Sequence, residues 1–129
     1  MIKTLIKTDS HYKVDRKRIR KIIENFLTET KVRGDTEISV SVVGDRQMRM
    51  LNLKFRKIDK TTNVLAFPLM HETVKNDFVE PPDNILRLGD IILSYPQVIN
   101  NARDEQKLVD DKIDELIIHG LKNLLGIGE

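Results

Sequence analysis

The stretch LVDDKIDELIIHGLKNLLG at residues 108–126 constrains the fold of this chain more than any other. At about 100° per residue, Val109, Ile113, Leu116, Ile117, Leu121 and Leu124 fall on one broad apolar face of a helix. A helix with so wide an apolar face has to lie against another layer of structure. Gly120 falls in the middle of that face, where its missing side chain lets a neighbouring element approach closely. Gly126 sits where a left-handed residue commonly ends a helix. The pattern predicts a helix from about Leu108 to Leu125 with one side buried.

Short strands supply the layer beneath it. TEISVSVV alternates with period two, putting Ile38, Val40 and Val42 on one face. The short apolar runs VLAFPL and LGDIILSY read as two more strands, and Ile2, Leu5 and Ile6 fit an edge strand. Asp15 is positioned to cap a helix running to about Thr28, in which Ile19, Ile22, Ile23, Phe26 and Leu27 recur at helical spacing. Asp45 is positioned to cap a second helix reaching about Phe55, and Pro96 suits the start of another. Residues 70–87, with Asn76, Asp77, Pro81-Pro82 and Asp83, read as one long surface loop. About four short strands packed with helices make an α+β domain spanning residues 1–129.

Composition narrows the chemistry. The chain has no cysteine, which excludes disulfides, thiolate zinc sites and a cysteine nucleophile. Its apolar runs are far shorter than a membrane span, and MIKTLIKTDS alternates where a secretory leader would be continuously apolar. The expected compartment is the cytoplasm. A formal charge of +2 does not identify a partner, so the location of the cations carries the argument. Lys13, Arg16, Lys17, Arg18, Arg20 and Lys21 crowd the first helix, as an RNA-contacting or simply a solvated face would. A second group, Lys54, Arg56, Lys57 and Lys60, surrounds the end of the second helix. The planar fork of Arg56 suits phosphate recognition. Thr61, Thr62 and Asn63 then hydrogen-bond either their own loop or a bound group. Asp90, inside an apolar strand, needs a partner there.

The final helix carries a second pattern. His119 and Asn123 are four residues apart and share one flank; Gly126 and Glu129 follow at i+7 and i+10. Helical proteins that bind zinc through three histidines use this spacing. The competing reading is an ordinary helix end in which Glu115 pairs with His119 at the surface. Zinc proteases of this spacing place a glutamate general base directly after the first histidine, and Gly120 stands at that position. Proteolysis is the weaker reading.

Three segments, in order, resemble the YbeY family of bacterial endoribonucleases and ribosomal-RNA maturation factors. LNLKFRKIDKTTNVLAFP is similar to that family's LN-x-x-x-R-x-x-D-K-x-T-[DN]-V-L-[SA]-F-P. LGDIILS is similar to L-G-D-[IL]-x-[IL]-[SC], and HGLKNLLGIGE resembles H-G-x-L-H-L-x-G-x-D-H. The resemblance implies a zincin-like mixed sheet and one divalent metal, zinc in the family, held by three histidines. It implies RNA handling by Arg56 in a cleft near that metal; Lys57 and Lys60, from their local positive charge, are either neighbouring RNA contacts or solvated helix-end residues. The metal positions fall on His119, Asn123 and Glu129, of which only the first holds histidine. Lys122 and Gly128 also depart from the pattern, and family members usually continue into a further helix. The implied partners are ribosomal RNA and, through it, ribosomal subunit proteins, with no membrane. The implied function is metal-assisted endoribonuclease action in ribosomal-RNA maturation and ribosome quality control, with Arg56 and His119 as catalytic residues. The alternative is an RNA- or ribosome-binding member whose metal site has decayed.

Overall fold

The computed structural model describes residues 1–9, 11–69 and 84–127. Four strands form one mixed sheet in the order β1-β2-β4-β3, with β1 at Ile2–Thr8, β2 at Thr36–Val43, β3 at Val64–Pro68 and β4 at Leu86–Ser94. β1, β2 and β4 run parallel, while β3 pairs antiparallel on the outer side of β4. The described helices are α1 at Arg16–Glu29, α2 at Asp45–Arg56, α3 at Tyr95–Asp104 and α4 at Val109–Leu125.

The period-two alternation of β2 divides the interior in two. Ile38, Val40 and Val42 join Leu88, Ile91 and Leu93 of β4 in a core covered by Ile19, Ile23 and Leu27 of α1, Val98 of α3 and the apolar face of α4. On the opposite face Met48 of α2 packs with Val43, Leu65 and Ile92. β4 serves both cores by alternation, and a bulge resets its start: Glu37 pairs with Arg87, yet Ile38 pairs with Gly89, leaving Leu88 as an extra residue. Leu88 and Ile91 therefore enter the same core, while Asp90 turns to the other face and accepts a hydrogen bond from Ser39 Oγ. That serine is the partner the carboxylate needed.

Most helix ends follow the expected chemistry. Asp15 caps α1 by accepting from the Arg18 N–H at 3.0 Å. Two expectations are corrected. Gly44, not Asp45, is the cap residue of α2; the Asp45 carboxylate instead accepts from Thr61 Oγ1, Ser94 Oγ and Gln97 Nε2 at 2.9, 2.8 and 3.1 Å. The expected loop over 70–87 is shorter at its end, because Leu86 and Arg87 extend the β4 ladder beside β2. Of the rest, residues 70–83 lie outside the described residues. The basic face of α1 is partly committed to structure. Arg18 grips Asp111 and Asp114 of α4 at 2.7 and 2.6 Å, and Arg16 donates to the Ile6 carbonyl. Lys17, Arg20 and Lys21 remain exposed. No helix among the described residues is long and apolar enough to cross a membrane.

Candidate active-site cleft

A cleft of about 520 Å³ opens along the outer strand β3. One wall is β3 itself, Val64 to Phe67; a second is His119 and Asn123 of α4; the third is Phe55 and Arg56 at the end of α2. Three expected site residues thus meet there. Lys57 and Lys60 are exposed beside Arg56 and are not among the cleft's described lining residues. Glu129 lies outside the described residues.

Glycine sets the position of the α4 wall. A Cβ built on Gly120 would lie 3.0–3.1 Å from three carbons of the Ile91 side chain, so the helix rests on β4 at a distance that a larger residue would increase. That seating also explains the absent protease base: position 120 is buried against Ile91, and a glutamate there would enter the core. At the end of α4, Gly126 adopts φ 68°, its N–H meets the Asn123 carbonyl, and the Ile127 N–H meets the Lys122 carbonyl at 2.9 Å. The helix thus ends at Leu125, and the chain turns at Gly126, three residues past Asn123.

The α2 wall is held by a compact turn. Lys57 takes a left-handed conformation (φ 62°) and ends the helix after Arg56. Asn52 is 2 % exposed and donates from Nδ2 to the Lys60 carbonyl at 2.9 Å, which pins the segment that follows. Asp59 in that segment is paired with Arg49 at 2.7 Å. Thr61 is bonded to Asp45 and Asn63 to Asn101, so both tie the turn to the fold rather than presenting their side chains to a ligand.

Glu115, offered by the sequence as a partner for His119, is bonded to Lys107 and Lys112. Lys112 is almost wholly buried (side chain 7 % exposed) and also bonds Glu105 at 2.9 Å. Desolvation pulls the Lys112 pKa down, but the bonds from Glu115 and Glu105 outweigh it and leave it raised. Glu105 is held below the ordinary 4.5 chiefly by the Lys112 bond, and Glu115 chiefly by the Lys107 bond. A carboxylate depressed in the folded state stabilises it above the unfolded value, and that contribution is lost as pH falls through the folded value. Resistance to urea is therefore expected to decline below about pH 4.5, modestly because both carboxylates are partly exposed. The Glu105→Gln/Glu115→Gln variant is expected to decline less steeply; an unchanged slope in urea titrations would remove this network as a cause.

Sequence reading missed the aromatic part of the cleft. Phe55 continues the helical stripe of Met48 and Asn52, and so looks like a core residue. It instead lies 54 % exposed, its ring 4.9 Å from that of Phe67. Helical spacing carries no sign that the stripe outruns the sheet.

His119 and Asn123 fit a divalent ion as two neighbouring donors on one helical flank, an imidazole and an amide. They do not make a set of three imidazoles, and the described residues hold no group of three His, Asp or Glu able to bind a metal.

The sequence model of the family described as endoribonuclease YbeY matches residues 4–127. The endoribonuclease YbeY of Dehalococcoides mccartyi is 34 % identical over 113 residues, covering 84 % of this chain and 66 % of its own length. That of Acinetobacter baumannii is 34 % identical over 114 residues, covering 86 % and 68 %. That of an Anaeromyxobacter species reaches 40 % over 94 residues, or 73 % and 44 %. The chain thus spans about two thirds or less of the length of these relatives. The solution structure of TM1509 from Thermotoga maritima superposes with a TM-score of 0.58 at 26 % identity, covering all of this chain and 73 % of that one.

Proposed function

Since this chain belongs to the endoribonuclease YbeY family, we propose that it hydrolyses RNA phosphodiesters in the cleft between α2, β3 and α4. The observation that carries the reading is the meeting of Arg56 with His119 and Asn123, 63 residues and more apart in sequence, in the lining of one cavity. Arg56 donates its planar fork to the scissile phosphate and stabilises negative charge developing on its oxygens. Lys57 and Lys60, exposed next to it, add positive potential along the approaching strand. His119 and Asn123, with Glu129 by its sequence spacing, would hold a divalent ion, which when bound would supply Lewis-acid polarisation or a water of lowered pKa. Amide and carboxylate oxygens are harder donors than imidazole, so the ion would be held more weakly than zinc on three histidines. The substrate is ribosomal RNA, and the setting is maturation of its ends and ribosome quality control in the cytoplasm.

The test is cleavage of an RNA substrate with and without chelator, by wild type and by the Asn123→His/Glu129→His variant. Cleavage by wild type that chelator abolishes is the expected result. Activity confined to the restored variant would favour a second reading, for which the amide at position 123 speaks: an RNA- or ribosome-binding member whose metal site has decayed. Cleavage of peptides but not RNA would overturn both.

A further inference from the structure

Phe55 is a large aromatic residue left half in solvent at the mouth of the cleft, next in sequence to the arginine that faces it. Its ring is braced, not loose. Phe67, from the opposing strand wall, packs on it at 4.9 Å with the planes inclined by 55°. Lys54 places its ammonium over the ring as well, 5.2 Å from the centroid, on a flexible and exposed side chain. A surface cation–π contact of this kind is weaker than the stacking of a base on an aromatic ring. The surrounding charge suits an anionic strand: Arg56, Lys54, Lys57 and Lys60 lie in the same short segment, and its carboxylate, Asp59, is neutralised by Arg49.

We infer that Phe55, braced by Phe67, is a stacking platform for one unpaired nucleobase of the bound RNA, the nucleotide adjoining the phosphate that Arg56 holds. The inference rests on the RNA reading above and adds a base-contacting residue to a site otherwise made of phosphate-directed groups. Lys54 swings off the ring as the base arrives and pairs with the neighbouring phosphate. The flat ring has no hydrogen-bonding groups, so the platform accepts any base, purines more tightly than pyrimidines because they cover more of it. It does not accept a base locked in a duplex, whose faces are already covered.

The test compares two synthetic strands of equal length, one an ordinary oligoribonucleotide and one abasic throughout, binding to wild type, Phe55→Ala, Phe55→Trp and Arg56→Ala. Phe55→Ala is expected to bind the base-carrying strand about tenfold more weakly and the abasic strand like wild type. Phe55→Trp is expected to retain binding and to show its indole fluorescence quenched by the base-carrying strand alone. Arg56→Ala is expected to weaken both strands. Wild-type affinity of Phe55→Ala for the base-carrying strand, with Arg56→Ala impaired, would overturn the platform and leave the RNA cleft standing. Insensitivity of both strands to Arg56→Ala would remove the RNA cleft, and the platform with it. Because Phe55 is half exposed, its replacement leaves the core intact, and the fluorescence readout reports contact with a base directly.

Discussion

Arg56→Ala is expected to lower RNA cleavage about 10²–10³-fold, the loss typical of removing one preorganised donor from a developing oxyanion. The side chain is exposed at a helix end and belongs to neither hydrophobic core, so thermal stability should be unchanged. Binding should also weaken, and the dependence of affinity on salt should fall by about one phosphate contact. Arg56→Lys restores the charge but not the planar fork, and it is expected to recover binding far better than cleavage. Lys60→Ala, removing an exposed charge outside the cleft lining, should cost only a few-fold in binding. Equal losses for Arg56→Ala and Lys60→Ala across a salt titration would reduce the arginine to one more element of a diffuse basic surface.

Gly89→Ala is expected to destabilise the fold by about 3 kcal/mol or more, lowering the melting temperature by about 10 °C. Gly89 has φ +139°, and a Cβ there would lie 2.2 Å from the Phe67 carbonyl oxygen and 3.0 Å from both Pro68 Cα and a Leu124 methyl. Backbone blocks it on one side and α4 on the other, so relief requires β3 to part from β4 or the bulge to unwind. The first movement displaces the β3 wall of the cleft. Gly34→Ala provides the comparison: its φ is +83°, but nothing lies within 4 Å of the added methyl. That variant should lose only the conformational term, about 1 kcal/mol. Similar melting temperatures for the two alanine variants would mean that the sheet yields easily at the bulge and that the close approach to Phe67 is not what demands glycine.

The elements were legible where a single period dominates. The alternation of TEISVSVV and the apolar face of α4 predicted burial that the structure repeats nearly residue for residue. Boundaries set by long-range pairing were not legible. Leu86 and Arg87 look like the tail of a polar loop, and only the neighbouring β2 makes them a strand. Asp45 illustrates the same limit at one residue. Its position before an apolar run is that of a helix cap, but Thr61, Ser94 and Gln97 converge on it from remote segments and claim its oxygens. For the cleft, spacing and family resemblance were enough to nominate Arg56, His119 and Asn123. The meeting of α2's end with the outer strand was not written in any local pattern, which is why Phe55 and Phe67 escaped notice.

The walls of the cleft come from residues 55–56, 64–67 and 119–123, and none of these pieces forms it alone. Arg56 stands at the last turn of α2 and His119 on α4, and both reach the cavity only when these two helices are packed on the same sheet. A chain in which α4 has come away from the sheet lacks the wall that carries His119. For a protein whose proposed work is cutting RNA, this is a built-in safeguard: the blade exists only in the folded chain, and damage to the fold disarms it.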